Sequence, residues 1–134
     1  MNKDKILNAE DIKAILIDDV IMEIKPIDII ISELPFLVEN KQLADLVYIS
    51  DYKTTAFEIK SEKDNLDKLL HQIKGYLKIF NSVYVVIHNR FIKSATIKRL
   101  PDRVGIFVID EHKSLILKRK AGFKHILSKD LLVS

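Results

Sequence analysis

The segment Val83-Tyr84-Val85-Val86-Ile87 constrains the chain most strongly. Its apolar side chains form an unbroken run of strand length, and alternation sends them to both faces of a sheet, so both faces must be covered. Gly105-Ile106-Phe107-Val108-Ile109 repeats the pattern. A sheet covered on both sides needs helices packed against it, which places the chain in the α/β class. The stretch before the first run supplies one helix. Leu66, Leu69, Leu70, Ile73, Leu77 and Phe80 recur at helical spacing, and Asp64 is positioned to cap a helix running to Phe80. Strand, helix, strand in this order makes a crossover over a mixed sheet.

The other elements follow from period and punctuation. A first helix is expected over Asn8 to Ile24, with Asn8 as N-cap, Asp11 at the third helical position and Ile12, Ile15 and Leu16 on the apolar stripe. Pro26 should end it. Asp28 to Val38 is ambiguous: Ile29-Ile30-Ile31 reads as strand, while Ser32-Glu33-Leu34-Pro35 suits a helical turn. Glu33 is expected near the end of a mostly buried element. Leu43 to Ile49 and Thr54 to Ser61 read as strands joined into a hairpin by Asp51-Tyr52-Lys53. A short helix over Ile92 to Arg99, ended by Pro101, precedes the strand Gly105 to Ile109. Ser114 to Lys118 can return as its hairpin partner.

Composition narrows the function classes. At 134 residues one domain spanning 1–134 is expected, and three Gly and three Pro leave little room for flexible linkers. With no Cys, disulfides and thiolate metal sites are excluded, and a reducing, cytoplasmic setting is expected. No apolar run reaches the ~18–20 residues that span a bilayer, so no membrane partner is expected, and the opening Met-Asn-Lys-Asp-Lys does not resemble a signal peptide. A net charge of +3 permits a nucleic-acid partner without demanding one.

The chemistry centres on Thr54-Thr55-Ala56-Phe57-Glu58-Ile59-Lys60-Ser61. On a strand Glu58 and Lys60 project to one face, while Phe57 and Ile59 project to the other. Upstream, Asp45 is the lone charge of the strand Leu43 to Ile49, and a hairpin brings it alongside Glu58. Two carboxylates converging on one point repel unless a cation lies between them. Hard oxygen ligands favour Mg²⁺ or Mn²⁺ over zinc. An acid-x-Lys triplet alone carries no weight, since Asp11/Lys13, Glu23/Lys25, Asp51/Lys53 and Glu111/Lys113 repeat it. The combination with a strand Asp and a polar helix face downstream is the signal. On that helix Gln72 and Tyr76 lie four apart, hence on one face, with Lys68 and Lys74 nearby to meet phosphates. The competing interpretation of the three central residues is an ion-pair ladder across a surface hairpin. His71, His88, His112 and His125 share no ligand spacing and are read as structural or solvated.

Together these residues resemble the PD-(D/E)xK nuclease superfamily, in particular its Holliday-junction-resolvase-like and VRR-NUC-like branches. Glu33, Asp45, Glu58, Lys60, Gln72 and Tyr76 match the early acid, the strand Asp, the Glu-x-Lys strand and the Gln and Tyr of the following helix. The match spans roughly residues 29–87. Ala44 stands where the eponymous Pro would be, and Leu43 where some relatives carry a basic residue. The resemblance implies a restriction-endonuclease-like fold, with helices flanking a central mixed sheet of four to five strands. It also implies a Mg²⁺- or Mn²⁺-dependent nuclease acting on nucleic acid, DNA above all; the mild net charge and the lack of an obvious specificity domain favour structure-selective over sequence-specific cutting. Asp45, Glu58, the Ile59 carbonyl and Glu33 would hold the metal, and Lys60 would orient water or stabilise the transition state. Gln72 would position Lys60 or the water, while Lys68, Lys74 and Tyr76 would contact nucleic acid. A homodimer is a further expectation from the superfamily. The alternative is a domain of the same fold that binds nucleic acid or a partner without turnover.

Overall fold

The computed structural model describes residues 6–21, 25–38 and 40–126. Helix α1 (Ala9–Asp19) opens with the expected cap. Asn8 accepts from the Asp11 N–H at 2.9 Å, and Asp11 accepts from the Asn8 N–H at 3.0 Å, a reciprocal capping box. The helix stops at Asp19, short of the expected Ile24, and residues 22–24 lie outside the described residues. Ile12 and Leu16 bury its inner face.

Strands β1 (Ile29–Leu37), β2 (Lys41–Ser50) and β3 (Lys53–Lys60) form an antiparallel meander. Asp51 and Tyr52 have φ of 52° and 63°, so the β2–β3 turn is a two-residue hairpin of the type that matches strand twist. Helix α2 (Leu69–Ile79) then carries the chain to β4 (Ser82–His88), which pairs in parallel with β3. A 3₁₀ turn (Asn89–Phe91) and the short α3 (Ala95–Lys98) lead to β5 (Gly105–Ile109), parallel to β4. The last strand, β6 (Leu115–Arg119), returns antiparallel to β5.

Sheet order follows the chain, β1-β2-β3-β4-β5-β6. The architecture is thus α/β with a mixed sheet, as expected, but with six strands rather than four or five. The addition is β1, from the segment whose period was ambiguous. It is an edge strand of mixed exposure that contains Pro35, and Glu33 interrupts its alternation with φ of 58°.

Alternation along β4 divides the core as its apolar run requires. Val83, Val85 and Ile87 pack with Leu69, Ile73, Tyr76 and Phe80 on the α2 face. Val86 packs with Phe57, Ile59, Phe107 and the α1 residues Ile12 and Leu16 on the other. Each such fully buried aliphatic side chain contributes roughly 1.5–3 kcal/mol. The two layers thus cover opposite faces of the sheet, and Glu58 faces the α2 side, where it meets Tyr76.

Helix α2 begins four residues later than a cap at Asp64 would give, with Leu69 as its first residue. Asp64 does not cap it; its Oδ2 accepts from the Ser61 N–H at 2.8 Å and the Ser61 hydroxyl at 2.9 Å, tying the loop back to the end of β3. Lys68 stands at the cap position without a side-chain bond.

Candidate functional site

The β2–β3 ladder runs from Ser50 opposite Lys53 to Leu46 opposite Phe57 and stops there. Beyond that point the main-chain groups need other partners. Asp45 supplies one, its Oδ2 accepting the Ile59 N–H at 2.8 Å. Tyr76 on α2 supplies others. Its hydroxyl accepts the Asp45 N–H at 3.1 Å and lies 3.2 Å from the Leu43 carbonyl oxygen and 2.5 Å from Glu58 Oε1. A hydroxyl has one proton, so it donates to the closer, carboxylate partner. The two strands are thus parted at Asp45 and Glu58 by side chains that replace ladder bonds.

Glu58 and Lys60 share a face of β3, with Lys60 Nζ 3.4 Å from Glu58 Oε2, while Phe57 and Ile59 pack into the α1 layer. Asp45 comes alongside Glu58 closely enough for each carboxylate to perturb the other. Burial, then the negative charge of Asp45, pushes Glu58 up to about 7, against the Tyr76 bond and the Lys60 ammonium. Burial also raises Asp45, opposed by the Ile59 N–H. The Tyr76 hydroxyl is pushed up by burial and by Glu58, so it remains a donor. Around neutral pH this pair favours holding a proton or another cation.

Asp45 opens into a cavity of about 530 Å³ whose lining includes Gln42, Lys68, His71 and Gln72. Gln72 Oε1 is buried and has no hydrogen-bond partner among the described residues. Lys68 and Lys74 are exposed on α2, and Lys74 lines a smaller adjoining cavity that shares Gln42 and His71. Asp45, Glu58, Lys60 and the Ile59 main chain are therefore brought together, with Gln72 and Lys68 at the mouth.

Two expected roles require correction. Tyr76 is 0% exposed, with its hydroxyl turned to Glu58, so it braces the carboxylates and offers no surface to nucleic acid. Glu33 does not join the pair. It is exposed, and the β1–β2 register pairs Ser32 with Leu46 and Leu34 with Ala44 but omits Glu33, whose φ is positive. Among the described residues no group of three or more His, Cys, Asp and Glu side chains is arranged to hold a metal ion.

Sequence reasoning missed Lys13. It is 5% exposed, its ammonium 2.7 Å from Ser32 Oγ and 3.0 Å from Glu10 Oε1, and its charge favours ionised Asp45. Its position between Ile12 and Leu16 on the buried stripe was the available signal. His71 and Gln42 were also missed, and no periodicity marks either. His88 stands apart at the end of β4, its Nδ1 accepting the Arg90 N–H at 3.0 Å.

No curated protein and no solved structure matches the chain. A family model does, described as Bacteriophage P4 protein cII and aligned over residues 2–134. The chain belongs to that family.

Proposed function

We propose that this protein is a metal-dependent phosphodiesterase of the PD-(D/E)xK type, with a restriction-endonuclease-like fold, acting on nucleic acid and foremost on DNA. One observation carries the reading: a buried carboxylate, Glu58, and a half-buried one, Asp45, meet at a parted strand pair, with the Lys60 ammonium 3.4 Å from Glu58. A structural ion pair does not require a second acid beside a buried glutamate, since the added negative charge costs more than one lysine returns.

The donor set fits a hard divalent cation. Asp45 and Glu58 present carboxylate oxygens. The Ile59 carbonyl points to the same strand edge as its N–H, which faces Asp45. The remaining positions suit solvent and a substrate phosphate, the way Mg²⁺ is commonly held. Mg²⁺ or Mn²⁺ there supplies charge neutralisation at a phosphoryl oxygen and makes water more acidic.

The chain's own residues do the rest. Tyr76 donates to Glu58 and accepts from the Asp45 N–H, fixing both acids before any ligand arrives. Lys60 sits where it can stabilise charge developing on a phosphate or align an attacking water. Gln72, whose side chain lines the cavity beside Asp45, can orient that water. Glu33 has no part in this set.

Incubation of the purified chain with plasmid, single-stranded and branched DNA in Mg²⁺ or Mn²⁺ tests the proposal. Cleavage should require the metal and be lost in Asp45→Asn, Glu58→Gln and Lys60→Ala while each variant remains folded. Cleavage that survives in the Glu58 and Lys60 variants would remove these residues from the reaction.

A further inference from the structure

Two cavities adjoin on the α2 side of the sheet. The larger begins at Asp45; the smaller continues from it past Gln42 and His71 to Lys74. Their combined lining holds Lys41, Lys68, Lys74 and Lys78 against a single carboxylate, Asp45. Lys68, His71 and Lys74 follow one another three apart along α2, so they form one exposed edge of the helix.

Gly75 shapes the floor. A Cβ there would come within 2.6 Å of Gln42 Nε2 and 2.9 Å of its Oε1, so the Gln42 amide rests against the helix at the glycine and would have to swing aside for a larger residue. Glycine inside a helix costs about 1 kcal/mol relative to alanine. The Gln42 amide oxygen is buried and unpartnered among the described residues.

We propose that this groove, between the start of β2 and the exposed edge of α2, carries the phosphodiester backbone of a nucleic-acid strand away from the carboxylate pair. Lys41, Lys68 and Lys74 neutralise its phosphates, and the Gln42 amide on the floor donates to a phosphate oxygen. From Lys68 to Lys74 the helix rises about 9 Å, against about 3.4 Å of axial rise per phosphate on one strand, which accommodates two to three phosphates. The inference rests on the reading of Asp45 and Glu58 as the cleavage site, and it assigns the direction in which substrate leaves that site.

Fluorescence anisotropy with a labelled single-stranded oligodeoxynucleotide, in EDTA, tests the groove without metal or turnover. Affinity should fall steeply with salt. The combined Lys41→Ala, Lys68→Ala and Lys74→Ala variant should lower the slope of log K against log salt by about 2, at roughly 0.7 per lost phosphate contact. A variant carrying arginine at the same positions should restore the slope, which excludes misfolding as the cause. Gln42→Ala should weaken binding several-fold and leave the slope unchanged, because a neutral contact is lost. An unchanged slope in the triple alanine variant, or no binding by the parent chain at low salt, overturns the groove. A Mn²⁺-induced rise in melting temperature, measured on the same proteins, reports the carboxylate pair separately, so either site can fail without the other.

Discussion

Glu58 is buried beside a second acid, and this gives the metal-free chain a pH dependence with a definite sign. Its folded-state value, about 7, lies above the ordinary glutamate value of 4.5. The folded protein therefore binds the proton more tightly than the unfolded chain does. The stability this contributes is fully present below about 4.5 and is lost as pH rises through about 7. Urea unfolding in EDTA should show the parent chain losing stability between pH 5 and pH 8, and Glu58→Gln should flatten the profile. A parent profile that rises over that window would mean the carboxylate is solvated and unperturbed. Tyr76→Phe bears on the same cluster. It removes the donor to Glu58 and leaves the half-buried Asp45 N–H without this acceptor. The expected loss is about 1–3 kcal/mol by the same unfolding measurement, larger at pH 8, where Glu58 is ionised, than at pH 5.

At the scale of elements, the hairpin and the parallel pair were plain in the sequence because strict alternation and an unbroken apolar run leave one solution each. Gly105–Ile109 matches to the residue, and Glu58 and Lys60 share a face as alternation demands. Asp45 was legible as the lone charge of the apolar run Leu43 to Ile49. The start of α2 was not, because Asp64 is chemically as good a partner for the Ser61 N–H as for a helix end, and the spacing of Leu66 continues into the loop. β1 was hidden by Glu33, whose φ of 58° shifts the polar residues out of alternation. That residue yields a test. Relieving a left-handed conformation with glycine removes strain of about 1–2 kcal/mol, offset in part by the greater freedom of glycine in the unfolded chain. Glu33→Gly should therefore leave stability equal or raise it by up to about 1 kcal/mol, and should leave the metal response intact. A lost metal response would return Glu33 to the ligand set.

For the molecule as a whole, the important fact is that Asp45, Glu58 and Tyr76 come from β2, β3 and α2, which share one hydrophobic layer. A ligand seated among them holds all three elements together, so releasing it requires opening that layer rather than loosening a single loop. Binding to the carboxylates should therefore appear as a shift in global unfolding. At 100 times its dissociation constant, a cation that binds only the folded state adds about 2.7 kcal/mol, which for a chain of this size raises the melting temperature by on the order of 10 °C. Mn²⁺ at neutral pH should produce that rise together in backbone and tyrosine circular dichroism, since one cooperative unit is being stabilised. Asp45→Asn should remove most of it while keeping the fold, because an asparagine Oδ1 can still accept the Ile59 N–H. If the backbone signal stays fixed while only a local probe moves, the cation is binding elsewhere on the surface, and the parted strands are a structural feature of the sheet with no metal to hold.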